Sequence, residues 1–213
     1  MTVESDDLAA LRETTSKALL GLLWLHVPIA LAIGLMRDNG WLAPTAFMAA
    51  MAIAATVSWA SSGNGLSTRL TFAIALMGGP SVFTYQLAGH PWQPDTHMYF
   101  FAALACLAAY CDYRPILAGA VAVALHHLVL NFLLPAAVYP GGADLGRVVL
   151  HAVILLIEAG VLSWLAVKLS GLFERTAQKT AEAEAANAAE ARANIDRTTA
   201  ERQAKQDLSL IHI

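Results

Sequence analysis

Apolar and polar positions alternate in long blocks along the first 167 residues of this chain. Six apolar stretches stand out, at about 18–36, 44–60, 70–88, 97–110, 115–134 and 148–167. Several approach the roughly 20 mostly apolar residues that a membrane-crossing helix requires. Turn formers separate them: Arg37-Asp38-Asn39-Gly40, Ser61-Ser62-Gly63-Asn64-Gly65, Gly89 through Asp95, Cys111-Asp112-Tyr113-Arg114, and a Pro/Gly-rich run from Pro135 to Gly146. Pro115 suits the first turn of the helix that follows it. Trp41 and Trp59 flank the second stretch at interfacial positions. Gly78-Gly79-Pro80 inside the third predicts a kink, whose freed carbonyls need neighbouring helices or water. The expected fold is all-α: a polytopic membrane protein with a six-helix transmembrane bundle over 18–167, preceded by a polar segment at 1–17.

The pattern changes abruptly after Lys168. Residues 169–206 are rich in Ala, Glu and Arg, with no Pro and no Gly beyond Gly171. That composition predicts one long cytoplasmic helix continuing from the sixth span. Leu169, Leu172, Thr176 and Ala183 fit a loose heptad, so the segment 168–207 reads as a signalling helix or linker that pairs in a homodimer. Residues 208–213 break the pattern. They resemble translated sequencing-adapter read-through, which marks them as a non-native addition to a truncated chain and removes His212 from consideration.

Composition agrees with a membrane protein. Of 213 residues, 57% are hydrophobic and only 14% charged, and the mean hydropathy is +0.55. A net charge of -3 leaves no electrostatic footprint for nucleic acid. Cys106 and Cys111 share one apolar stretch and form neither a disulfide framework nor a CxxC motif. The acidic N-terminus lacks a basic region and a cleavage site, so the first span is expected to act as an uncleaved anchor. Basic residues set the expected orientation. Placing the N-terminus inside puts Arg12, Lys17, Arg69, Arg114, Lys168, Arg175 and Lys179 in the cytoplasm and only Arg37 and Arg147 outside. Both termini are therefore expected in the cytoplasm, and membrane lipid is an expected partner.

Histidines within the apolar blocks are the candidate chemistry. An ionisable side chain at the bilayer centre costs about 2.5 kcal/mol or more, so such residues are usually paired, inward-facing and functional. They are His26, His97, His126, His127 and His151, with Glu158 on the last span. Taking Met36, His97, Pro135 and Arg147 as the outer boundary, the ~1.5 Å helical rise places His97 at the surface. His151 then lies about 6 Å below, His127 about 12 Å, and His26 and Glu158 about 15 Å. His151 and Glu158 are seven apart and share a helix face; His126 points about 100° away from His127. Imidazole suits iron, copper and zinc. His26 and one of His126 or His127 offer axial ligands for haem b. Alternatively His26, His97, His127 and His151, with Glu158, offer ligands for copper or zinc, Glu158 or Asn131 orienting them. A proton relay, or hydrogen bonds to neighbouring helices, uses the same residue types. His90, in a Pro-flanked loop, reads as solvated.

No catalytic signature accompanies the histidines. His127-Leu-Val-Leu-Asn131 matches the HxxxN pattern of rhomboid proteases, but no Gly-x-Ser-Gly nucleophile follows, and no phosphate loop, HExxH or nucleophile elbow is present. The chain is expected not to be an enzyme. Four segments carry a resemblance instead: Trp24-Leu-His-Val-Pro28, His90-Pro-Trp-Gln93 with Asp95 and His97-Met-Tyr-Phe-Phe101, Asp112-Tyr-Arg-Pro115, and His126-His-Leu128 with Asn131-Phe132. They resemble the N-terminal membrane sensor of a group of bacterial methyl-accepting chemotaxis proteins; similar regions precede diguanylate cyclase and histidine kinase modules. The Ala/Glu-rich 181–192 is similar to the linker leading into the cytoplasmic signalling hairpin. The resemblance implies an inner-membrane sensory domain for signal transduction, a homodimer, and a C-terminal signalling domain beyond this chain that reaches coupling proteins and a kinase. A haem-binding electron-transfer protein and a small metal or proton transporter are the alternatives. A transporter would show repeats or paired broken helices, whereas only the third stretch is Gly/Pro-interrupted.

Overall fold

The computed structural model describes residues 6–38 and 40–211, with side chains through residue 207. Among the described residues the chain is helical, without strands. Six α-helices follow in order: α1 (Asp6–Arg37), α2 (Leu42–Ser62), α3 (Leu66–Gln86), α4 (Gln93–Cys106), α5 (Tyr113–Leu133) and α6 (Leu145–Ile211). Short 3₁₀ turns at Leu107–Tyr110 and Pro135–Ala137 follow α4 and α5. Four helices are long and apolar enough to cross a membrane: α1, α2, α5 and the Leu145–Asp207 part of α6. The other two differ from the six-span expectation. The 14 residues of α4 rise only about 21 Å, short of a hydrocarbon core about 30 Å thick. The helix α3 is long enough at 21 residues, but it carries Arg69, Gln86 and several hydroxyl side chains.

Compact packing divides the chain after Ser170. In the first unit α3 lies at the centre, in contact with α1, α2, α4 and α5. It buries Phe72, Leu76 and Met77 against Leu23 of α1, Leu104 of α4 and Ile116 of α5. The helix runs through Gly78-Gly79-Pro80 without interruption, and the Ser81 hydroxyl donates to the Met77 carbonyl at 2.7 Å. Of the two glycines, Gly79 is the one needed for closeness. A Cβ on Gly79 would stand 2.6 Å from the His26 ring of α1, and one on Gly78 3.4 Å from Phe47 of α2.

One polar knot ties α1, α3 and α5 together. Asp112 caps α5, accepting from the Arg114 backbone N–H at 3.0 Å. Its carboxylate also takes Arg69 Nη1 from α3 at 2.9 Å and a two-pronged contact from Arg114 Nε and Nη2, each at 2.9 Å. Burial alone would raise the Asp112 carboxyl; hydrogen bonds from Arg114 and the Arg69 charge outweigh it and hold the group below its ordinary range. The α1 helix begins at Asp6, so residues 6–17 form its first turns rather than a separate tail. Arg12 reaches the carbonyls of Tyr110 and Cys111 at 2.8 and 3.2 Å. Ser16 pairs with the Tyr110 hydroxyl at 2.9 Å. Gln93-Pro94-Asp95, expected in a loop, forms the first turn of α4.

The second unit begins at Gly171. Its described residues are helical and, from Glu174 to Asp207, exposed, with i,i+4 pairs Gln178–Glu182, Arg197–Glu201 and Gln203–Asp207 at 2.9–3.3 Å. Each such pair is worth a few tenths of a kcal/mol. The helix continues to Ile211. The side chains of the set-apart segment 208–213, and residues 212–213 altogether, lie outside the described residues, as do residues 1–5 and Asn39.

Candidate metal centre

Three helices each bring one histidine to a common point. His97 stands on the second turn of α4, His127 on the C-terminal half of α5, and His151 near the start of α6. One ring nitrogen from each lies within 4.8 Å of the others. His97 Nε2 and His127 Nε2 are 3.0 Å apart. The ring centroids are 4.9 Å apart for His97 and His127, 5.2 Å for His97 and His151, and 5.5 Å for His127 and His151. His127 is buried, and the other two are half-buried.

The second nitrogen of the His127 ring and of the His151 ring explains its aim. His127 Nδ1 meets the Val123 carbonyl, one helical turn back, at 2.9 Å. His151 Nδ1 meets the Arg147 carbonyl in the same way at 2.7 Å. A carbonyl only accepts, so both Nδ1 atoms carry the proton and both Nε2 atoms present a bare lone pair. Metal-ligating histidines characteristically donate their other N–H to such partners, which fixes tautomer and ring direction. Nitrogen atoms bound tetrahedrally at 2.0–2.1 Å stand about 3.3 Å apart, close to the 3.0 Å found here. The trio can therefore direct imidazole nitrogens at one ion.

Aromatic rings close the site. Tyr139, from the loop before α6, lies 5.4 Å from the His151 ring and 6.1 Å from His97, and Phe100 packs 5.3 Å from His127. Burial, with the Asp144 carboxylate nearby, pushes the Tyr139 hydroxyl above its ordinary range. Asn131 accepts from the Asp144 backbone N–H at 2.8 Å and so fastens this loop to α5.

The remaining candidates fall elsewhere. His26 is buried between Phe83 and Tyr99, with Nε2 2.7 Å from the Tyr99 hydroxyl, and it is not in the three-ring group. His126 approaches His127 at 3.4 Å but lines a different cavity, with Phe47 and Tyr85. Glu158 lines the same cavity as the trio yet is outside the ligand group. The orienting groups expected in Asn131 and Glu158 are instead backbone carbonyls. His97, on a helix that begins one turn before the apolar stretch, stands beside His127. His90, in its loop, accepts from the Trp92 N–H at 3.2 Å.

Sequence reasoning missed Tyr99 and Tyr139. Tyr99 sits two residues from His97, on a part of α4 singled out for its histidine, and Tyr139 in a Pro/Gly run that carries no periodicity. Comparison of the chain with protein-family models, with curated proteins and with solved structures finds no match.

Proposed function

We propose that this chain is the membrane sensory region of a bacterial signalling protein of the chemoreceptor type, and that its sensory element is a transition-metal ion held by His97, His127 and His151. The observation that carries the reading is the convergence of three ring nitrogens within 4.8 Å, with His127 and His151 locked toward the centre by backbone carbonyls. Neutral imidazoles favour zinc, copper or ferrous iron over magnesium or calcium. A single ion fits better than haem. Two axial ligands on iron stand about 4 Å apart with a flat macrocycle between them, whereas His97 and His127 meet at 3.0 Å and His26 spends its Nε2 on Tyr99.

The signalling half of the proposal rests on α6. The helix that carries His151 is the one that leads into residues 171–211. An ion that binds one position of α6 better than another shifts the balance between them, and only by its differential affinity. In this reading all six helices of the first unit lie in the inner membrane, with α3 and α4 shielded by the longer four. Both termini are cytoplasmic, and residues 171–211 pair in a homodimer.

Metal analysis of detergent-purified protein tests the centre. One zinc, copper or iron per chain is expected, falling at least tenfold in His127→Ala and His151→Ala. His126→Ala and His26→Ala should retain it. Metal-free wild-type protein that also fails to take up zinc, copper or ferrous ion would overturn the reading, as would equal metal in all four variants.

A further inference from the structure

Three histidines leave a zinc-class ion with a fourth position for a ligand. His97, His127 and His151 form one wall of a cavity of about 270 Å³ between α4, α5 and α6. The other walls are almost wholly apolar, with Phe100 and Phe101 from α4 and Leu155 from α6. The exception is Glu158, which also lines the cavity. Its Oε2 is buried and has no hydrogen-bond partner. Glu158 lies seven residues, two turns, beyond His151, or about 10.5 Å along the helix axis. The cavity is thus a greasy slot bounded by lone pairs at one end and a carboxyl needing a partner at the other.

The dimensions and chemistry define an occupant. Apolar walls exclude a charged ligand, which would lose its hydration without compensation. A dry cavity of about 150 Å³ accepts benzene, so this one takes a ring with substituents. Phe100 and Phe101 offer edges and faces to such a ring. His151 and Glu158 stand two helical turns apart along one wall, so an occupant that meets both the ion and the carboxyl carries polar atoms at its two ends. The cavity reaches Leu145 and Val149, two exposed apolar residues of α6, so an apolar occupant has a route in past them.

We propose that this cavity binds a small, neutral, bilayer-soluble aromatic molecule with hydroxyl groups at opposite ends, one oxygen completing the coordination of the ion and the other donating to Glu158. This rests on the metal centre proposed above and names the class of molecule to which it responds. The test uses full-length protein in detergent, loaded with cobalt(II) as a coloured stand-in, and titrated anaerobically with 1,4-hydroquinone. A saturable shift of the cobalt ligand-field bands is expected in wild type. Glu158→Leu removes the acceptor and Ala152→Phe fills the slot from its α6 wall. Each should weaken the titration at least tenfold with cobalt stoichiometry unchanged. No saturable shift in cobalt-loaded wild type overturns the proposal, as does unchanged affinity in both variants. Failure to bind cobalt at all brings down the metal centre itself, which is a separate reading of the same experiment.

Discussion

Replacing Asp112 by Asn isolates the charge in the knot that joins α3 to α5. Asn keeps the helix cap, because it serves as well as Asp at that position, so the perturbation is the loss of one negative charge. The two partners differ in exposure. The Arg69 side chain is 8% exposed and that of Asp112 2%, whereas Arg114 is 46% exposed. The half-exposed Arg114 pair is worth at most about 1 kcal/mol. The Arg69 pair is different: removing one member of a buried pair typically costs about 3–5 kcal/mol, because the other charge loses its compensation. The lower end applies here, since Asn still accepts a hydrogen bond from Arg69. A loss of about 3 kcal/mol in a chain of this size lowers Tm by roughly 6–12 °C.

The assay is thermal unfolding in detergent, followed by helical circular dichroism, for Asp112→Asn, Arg69→Met and the double variant. The double variant should lose less than the sum of the single losses, because Met leaves no buried charge to compensate. Acid titrates the same charge. Asp112 in the folded chain titrates below its ordinary value near 3.8, so its contribution is fully present above about pH 4 and disappears as pH falls through the lower folded value. The Tm gap between wild type and Asp112→Asn should accordingly hold from pH 7 to about pH 5 and close only below pH 4. A Tm change under about 2 °C, or strict additivity in the double variant, would refute the reasoning.

Three further outcomes follow from the same structure. Gly79→Ala forces a methyl to within 2.6 Å of the His26 ring; overpacking of this kind costs about 1–3 kcal/mol, read as a Tm drop that His26→Ala added to the same chain should relieve. Reporter fusions at Asn64 and at Asp207 should both report cytoplasm, and a periplasmic signal at either contradicts the six-span, both-ends-inside arrangement. Single cysteines at Leu172, Thr176 and Ala183 in membrane-embedded protein should crosslink between copies, with neighbouring positions weaker at a helical period; uniform or absent crosslinking removes the case for a paired signalling helix.

What was legible from the residues is the helical class and its punctuation. Pro115 reads as a residue of a helix's first turn, and α5 begins two residues before it, at Tyr113, because Asp112 accepts the Arg114 N–H. Histidines on three different apolar stretches were also visible. Which of them meet was not. Axial depth follows from 1.5 Å per residue, but the direction a side chain faces follows from 100° per residue and from how helices are rotated against one another. Hence His26, placed at a depth similar to His127, turns to Tyr99 instead, and His97, placed at the surface, meets His127. Residues 6–17 looked like a tail because Arg12 and Ser16 are polar. Their partners are the carbonyls and hydroxyl that end the 3₁₀ turn after α4, nearly 100 residues away, and such pairings leave no trace in local composition. The backbone carbonyls that aim the histidines are invisible in sequence for the same reason, since every residue has one.

The case for an ion over a hydrogen-bonded network comes from counting lone pairs. His127 Nδ1 and His151 Nδ1 both face carbonyls, which cannot donate. In the neutral rings His127 Nε2 and His151 Nε2 are therefore acceptors. His97 can place one Nε2 proton, and it faces His127 at 3.0 Å. That proton serves one of the two acceptors and leaves the half-buried third imidazole, within 4.8 Å of the pair, to solvent or to an ion. Charging a ring to supply another proton puts an imidazolium against apolar walls, at a desolvation cost that no carboxylate of the three-ring group offsets. A single divalent ion serves three lone pairs at once: His97 and His127 already stand near the tetrahedral spacing of about 3.3 Å, and the trio, within 4.8 Å, has only to draw together. The carbonyl partners would then hold the His127 and His151 rings in place before the ion arrives, so part of the ordering cost of assembling the site falls on the fold rather than on binding.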